Sequence, residues 1–365
     1  MMPLERVLQL LICPSCGNDL ANARSDELLN CACGLVYPIV GDIPRIFIGE
    51  MRSTYETDFP EIVRRYPQLR ECKSESRETR SKLSTRESFG YEWTVYHQML
   101  AEWSENAKFY FELVGLESIS GKLVLDAGCG KGRHAYYASR AGAEVVAMDF
   151  SRAIDVAKRN AGDSGSIAFV QADITSPPFR RETFDLVYSF GVLHHLSNPE
   201  GGFRQCVSLV RPGGRVAFYV YHWPEGQPVK QVLLKGVTLA RKVTTRIPFP
   251  ALRAISWLAG IGLYGGIVMP YKVLSRVKLT RPLAARMPLR AYAQYPVSVI
   301  INDQFDRFSA PIENRYTSNE VRAWLEHACL DDIQILPEYG WRAIGRVRSR
   351  PMAARRHEHA RGAHS

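Results

Sequence analysis

Val124-Leu-Asp-Ala-Gly-Cys-Gly-Lys-Gly132 decides how this 365-residue chain is read. A short apolar run ends in Asp126 and breaks into three alternating glycines, Gly128, Gly130 and Gly132. A helical stretch follows, roughly Arg133 to Ala141. This is a strand running into a glycine turn and a helix start, where bare backbone lets a ligand approach closely. Asp149 closes the next apolar run, Val145-Val-Ala-Met-Asp149, at the spacing of one β-α-β unit. In a nucleotide site, such a carboxylate accepts hydrogen bonds from both ribose hydroxyls.

The register continues beyond that unit. Val170-Gln-Ala-Asp173 is a strand end carrying a second carboxylate, suited to an adenine amino group. Phe184-Asp-Leu-Val-Tyr-Ser189 is a fourth strand, followed by Phe190-Gly-Val-Leu-His-His195. Leu209-Val-Arg-Pro-Gly-Gly214 ends a helix in a turn, and Arg215 to Tyr221 is a fifth strand. The whole pattern resembles the class I S-adenosylmethionine-dependent methyltransferases, close to the small-molecule type 11 group. The resemblance implies an α/β fold with a Rossmann-like sheet and helices on both faces. It also implies cofactor roles for Asp126, Gly128, Gly130, Asp149, Phe150, Ser151, Asp173, Ile174, Ser189 and Phe190. Asp126 would anchor the cofactor's amino group, directly or through water. His195 and His222 are candidate bases for a hydroxyl acceptor, because neutral imidazole can take a proton. A structural role for the histidine pair stays open beside that one. No N/D-P-P-Y/F tetrapeptide follows strand four, which disfavours the amino-directed DNA or glutamine chemistry of that motif.

Cys13-Pro-Ser-Cys16 and Cys31-Ala-Cys33 stand close to the N-terminus. Two close thiolate pairs on two turns are how a tetrahedral structural zinc is held, and a metal can replace the core that so short a module lacks. With Tyr37-Pro-Ile-Val-Gly-Asp-Ile-Pro44 the segment resembles Trm112-like zinc ribbons. Its second pair is C-x-C where those have C-x-x-C, so metal occupancy stays open. The other four cysteines are scattered singly, which points to metal chemistry in a reducing cytosol. No secretory signal is read in Met1 to Leu11, so a cytoplasmic location with optional membrane association is expected.

The chain is 46% hydrophobic and 23% charged, ordinary values for a globular protein. Its net charge of +10 is unevenly placed. Between Gly226 and Asn302 there are twelve Lys or Arg and no Asp or Glu, so the remainder stands near −2 (10 − 12). About ninety residues separate strand five from the last helix and hairpin, far more than a connection needs. The expected organisation is a ribbon at 1–50, a polar linker at 51–86 and a methyltransferase core at 87–225. A basic, apolar helical insert at 226–302, the end of the core at 303–347 and a disordered tail at 348–365 complete it. The insert's place in the resembled fold overhangs the acceptor, so it would select a small-molecule or lipid-like substrate. Asp303, Asp306, Arg307 and Tyr316 are the acceptor-side candidates. Apolar stretches flanked by cations also suit an anionic membrane surface. RNA is the competing acceptor, disfavoured because aromatic stacking platforms are sparse among these cations. A partner module that binds the cofactor without turnover is the third possibility. Glu87-Ser-Phe-Gly-Tyr-Glu-Trp93 is either a lid over the cofactor, through Tyr91 or Trp93, or a helix packed on the sheet edge.

Overall fold

Apolar runs that end on a carboxylate or a glycine become the parallel centre of one mixed sheet. The computed structural model describes residues 4–22, 27–70, 76–162 and 166–349. Its eleven strands are β1 (Leu20–Asn22), β2 (Leu28–Cys31), β3 (Val36–Val40), β4 (Ile43–Ile46), β5 (Leu123–Ala127) and β6 (Glu144–Asp149), then β7 (Ser166–Ala172), β8 (Phe184–Phe190), β9 (Val210–Val220), β10 (Asp331–Glu338) and β11 (Gly340–Arg346). The spatial order is β1-β2-β3-β4-β7-β6-β5-β8-β9-β11-β10. Strands β7, β6, β5, β8 and β9 are parallel, and β11 and β10 close the sheet antiparallel. Strand order reverses between β5 and β8, the switch point at which open α/β sheets bind ligands beyond their strand C-termini.

Both sheet faces are covered, so the central strands read as continuous apolar runs. On one face Leu125, Val146, Val170 and Phe218 pack with Phe203, Cys206 and Trp324. On the other, Val124, Val145, Phe169 and Tyr188 pack with Phe111, Ala135, Ala138 and Ile154. Cys206 is buried core. Cys329 is not: it is exposed, just past the Ser318–His327 helix, with φ of 54°. That left-handed conformation is one that glycine adopts without strain.

The ribbon is part of the sheet. Strand β4 pairs in parallel with β7, Arg45 opposite Gln171 and Ile46 opposite Ala172. The fully buried Arg45 fixes the join, donating to Asp155 Oδ1 at 2.5 Å and Gln171 Oε1 at 2.9 Å.

Two boundaries expected from sequence need correction. The linker at 51–86 is largely folded: Met51, Tyr55, Phe59, Val63 and Leu69 share one core with Leu28 and Phe47 of the ribbon. From Arg77 to Val95 a nineteen-residue helix runs straight through the expected border at 86. Ser76 caps it, accepting from Thr79 N. The border at 302/303 likewise falls inside one helix, Val297–Ser309. That helix packs against Phe249–Leu263, whose Gly260 comes so close that an added Cβ would lie 2.9 Å from Ile301 Cα. The tail expected to be disordered lies, beyond position 349, outside the described residues.

Candidate active site

The turns that follow β5, β6, β7 and β8 surround one cavity of about 930 Å³, counting the solvent at its mouth. Gly128, Gly130, Asp149, Phe150, Ser151, Asp173, Ile174, Phe190 and His195 all line it. Gly128 has φ of 94° and Gly130 of 53°. A Cβ on Gly128 would meet Val192 at 2.4 Å, and one on Gly130 would meet the Trp93 indole at 3.2 Å. Both positions therefore require glycine on conformational and spatial grounds.

Asp149 organises the turn before any ligand is considered. Its Oδ2 accepts from Gly130 N at 2.8 Å, and its Oδ1 accepts from Ser151 N and Oγ at 2.8 and 2.7 Å. Burial raises its pKa from the ordinary value, against the lowering by these hydrogen bonds. Oδ1 is thereby saturated, and Oδ2 retains acceptor capacity for a hydroxyl. Asp173 Oδ1 accepts from Thr175 N at 2.8 Å, and Lys82 Nζ lies 3.4 Å from its Oδ2.

The Arg77–Val95 helix forms the opposite wall, presenting Arg86, Phe89 and Trp93 at i, i+3 and i+7. Arg86 donates to Phe150 O at 3.1 Å and pairs with Asp58. Tyr91 points elsewhere, stacking on Phe249 at 5.0 Å between ring centroids. Of the two lid candidates, Trp93 reaches the cavity and Tyr91 joins the later helices. Lys131 pins the helix end to the glycine turn, its Nζ donating to Tyr96 O at 2.9 Å and Gln98 O at 3.1 Å. Lys131 and Arg133 line the cavity as well, and neither was expected. The signal was present in Gly-Lys-Gly-Arg133, where two cations follow the glycines directly.

Several expected site residues stand apart from the cavity wall. Ser189 is buried and donates to Ala127 O at 2.8 Å, which joins β8 to β5. Asp126 is also buried behind the wall, with one carboxylate oxygen unpartnered among the described residues. Burial, with Asp149 nearby, pushes it up to about 8. His222 is held at its Nδ1 by Tyr339 O at 3.1 Å, away from the cavity. His194 is buried, its ring tilted against Tyr221 at 4.0 Å between centroids.

His195 does reach the cavity. Its Nδ1 donates to Ile312 O at 2.6 Å, which leaves Nε2 as the acceptor of a neutral ring. Burial holds it down at about 4, so it is uncharged at neutral pH and only a weak base. The residues expected to contact the acceptor do not line the cavity: Asp303 accepts from Tyr292 Oη at 2.7 Å, and Tyr221 Oη lies 3.4 Å from Asp306 Oδ2. Burial pushes both carboxyls up to about 6. Arg307 is on the same helix, its carbonyl held by Arg241 at 2.7 Å. Tyr316 is not part of that group, because its ring packs on Trp324 across the sheet.

The four ribbon cysteines do converge. Their sulfurs all lie within 4.8 Å of one another, with Cys13 to Cys33 at 3.8 Å and Cys16 to Cys31 at 3.3 Å. Four thiolates around one zinc, each Zn–S ≈ 2.3 Å, require about this separation. Burial opposes ionisation of Cys13, but Tyr37 and backbone hydrogen bonds bring it down to about 7.

Fold and cavity together have the features of a class I S-adenosylmethionine-dependent methyltransferase core. Residues 125–218 match the family described as a methyltransferase domain. The ubiquinone biosynthesis O-methyltransferase of Methylocella silvestris is 43% identical over 98 residues, covering 26% of this chain and 38% of that one. The demethylmenaquinone methyltransferase of Clavibacter sepedonicus is 33% identical over 108 residues, covering 29% and 44%. The chain thus spans less than half the length of these relatives. Among solved structures, an S-adenosylmethionine-dependent methyltransferase from Mesorhizobium loti is 28% identical, covering 33% of this chain and 55% of that one, with a TM-score of 0.30.

Proposed function

We propose that this protein methylates a small, apolar, lipid-like acceptor of quinone type, held beneath the helices that follow β9. The observation that carries the reading is the cavity at the switch point, with a donor end built from turn residues and an aromatic wall. The cofactor fits the groups present: glycines that leave room for it, buried carboxylates with free acceptor capacity, and the rings of Phe89, Trp93 and Phe190 for a sulfonium. S-adenosylmethionine supplies an electrophilic methyl group that leaves its sulfur in an in-line displacement.

Asp149 Oδ2 would hold a ribose hydroxyl, Asp173 the adenine amino group, and Phe150, Ser151 and Ile174 the faces of the adenosine. Trp93 and Phe89 exclude water from the reacting end, and most of the rate enhancement would come from positioning. His195 Nε2 would accept a hydrogen bond from the acceptor and orient it. The names of the relatives support a quinone-type acceptor, with oxygen as the methylated atom in the first of them. Asp303, Asp306 and Arg307 are its proposed polar contacts. The ribbon would hold one zinc through Cys13, Cys16, Cys31 and Cys33, with a structural role, because four protein ligands leave no open position.

The test is transfer of label from S-adenosylmethionine into quinone precursors and into a fractionated cell extract, with Asp149→Ala in parallel. Label in the lipid fraction, lost in the variant, is the expected result. Label confined to RNA overturns the acceptor reading.

A further inference from the structure

The Phe249–Leu274 stretch is one 26-residue helical run with mean hydropathy 1.4 over its most apolar window, yet only 22% of that window is buried. A core helix of this composition would be covered. Here Leu252, Ser256 and Gly260 face the Val297–Ser309 helix, and the remaining surface is open. Trp257 is 52% exposed and Leu258 66%, with Ile255, Ile261, Met269 and Val273 also exposed. The neighbouring helix Pro228–Thr244 exposes Val232, Leu233, Leu239 and Val243, and Leu279 is 90% exposed. Monomeric soluble proteins rarely leave so large a contiguous group uncovered.

The charge around these side chains has one sign. All twelve charged residues from Gly226 to Asn302 are Lys or Arg, and only Arg241 among them is buried, paired to Glu313. Lys230, Lys235, Lys242, Arg253, Arg276 and Lys278 therefore accompany the exposed apolar side chains along the segment, with no acidic residue among them. A second copy of the chain is a poor occupant, since a two-fold contact would set these cations against themselves. Spanning a bilayer is also a poor fit, because one helix face is committed to a helix that carries Asp303, Asp306 and Arg307. Apolar side chains accompanied by cations suit the boundary between lipid tails and anionic headgroups.

We propose that this face docks on an anionic phospholipid bilayer, with the outer side of Phe249–Leu274 lying in the interface and the flanking cations on lipid phosphates. The docking deepens the acceptor reading above, since a quinone-type acceptor resides in that bilayer. It rests on that reading for its purpose and on the surface for its existence. Tyr91 stacked on Phe249 ties the docking helix to the helix that walls the cofactor cavity.

The full chain is spun with vesicles of phosphatidylcholine alone and of phosphatidylcholine mixed with phosphatidylglycerol. Pelleting with the mixed vesicles only, release by high salt, and a blue shift of tryptophan fluorescence are expected. Trp257→Asp with Leu258→Asp should weaken binding by about a hundredfold or more. Failure to bind mixed vesicles, equal binding to neutral ones, retention after alkaline carbonate, or undiminished binding by the double variant overturns the proposal. So does a salt-stable dimer dispersed by the same substitutions, or RNA capture in place of vesicle capture. Calorimetry with S-adenosylhomocysteine separates the two readings. Intact donor binding without vesicle binding sinks the docking alone, whereas vesicle binding without donor binding sinks the proposed function alone.

Discussion

The two ends of the active-site region treat their buried polar groups differently. At the donor end, each oxygen of Asp149 and one oxygen of Asp173 are engaged by backbone N–H groups of the turns themselves. At the acceptor end, Glu92 Oε2, Asn302 Oδ1 and Asp306 Oδ1 are buried and unpartnered among the described residues, as are Tyr96 Oη and Trp103 Nε1. Burial, with Asp306 and Asp303 close by, holds the Glu92 carboxyl well above the usual range. An unpaired buried polar atom costs ~1–3 kcal/mol, so such a group is worth keeping where a ligand or water completes it. The donor turns engage Asp149 and Asp173 from their own backbone, with one oxygen of Asp126 left over behind them, whereas several polar atoms around Asp303 and Asp306 have no partner among the described residues.

The contrast can be broken at several points. Asp149→Ala should have the largest effect, weakening S-adenosylhomocysteine binding by about a hundredfold from a lost hydrogen bond to a charged group. Calorimetry reads it, and an effect below threefold would show that this carboxylate only shapes the turn. Next is the ribbon. Metal analysis should find one zinc per chain, and Cys31→Ser should lose it, lower Tm and weaken donor binding several-fold, because β4 braces the strand that ends at Asp173. Unchanged donor affinity in a metal-free variant would separate ribbon from pocket.

Asp303→Asn sharpens the acceptor side. Its folded pKa of about 6 lies above the ordinary 3.8, so the native state holds its proton more tightly than the unfolded chain. That favourable contribution is complete below pH 3.8 and lost as pH rises through about 6. The variant should therefore be a few degrees more stable than the parent at pH 8 and nearly equal to it at pH 4. Donor affinity should stay within twofold while the acceptor KM rises. The smallest effect is expected from His195→Asn, a few-fold fall in kcat with donor affinity intact. Its imidazole is held at about 4 against an ordinary 6.5, so native stability is present above 6.5 and declines as pH falls from there towards 4. Thermal melts should show a shallower acid limb in the variant, and an unchanged limb would mean His195 is not buried neutral.

The same contrast explains what the sequence made legible. Donor residues sit within three positions of strand ends, so apolar runs and glycines mark them, and eight of the ten cofactor candidates line the cavity. Asp126 and Ser189 each stand one residue short of a strand end and are buried behind the lining, within the sheet and not in the turns past it. The first half of the Arg77–Val95 helix was hidden in the expected linker because the side the helix buries includes Thr79, Arg86, Ser88 and Glu92, with no apolar stripe to show a period. Arg86 was lost with it. Tyr316 went astray because residues distant in sequence decide which side of the sheet its ring enters.

The parallel pairing of β4 with β7 sets an order of events during synthesis. Ile46 meets Ala172, 126 residues later (172 − 46). At ~5–20 residues per second, the ribbon's outer strand waits about 6–25 s with an open edge before its partner emerges. A cluster of four thiolates that closes early would keep the hairpins in register through that interval, so metal supply would set refolding yield before it touched turnover.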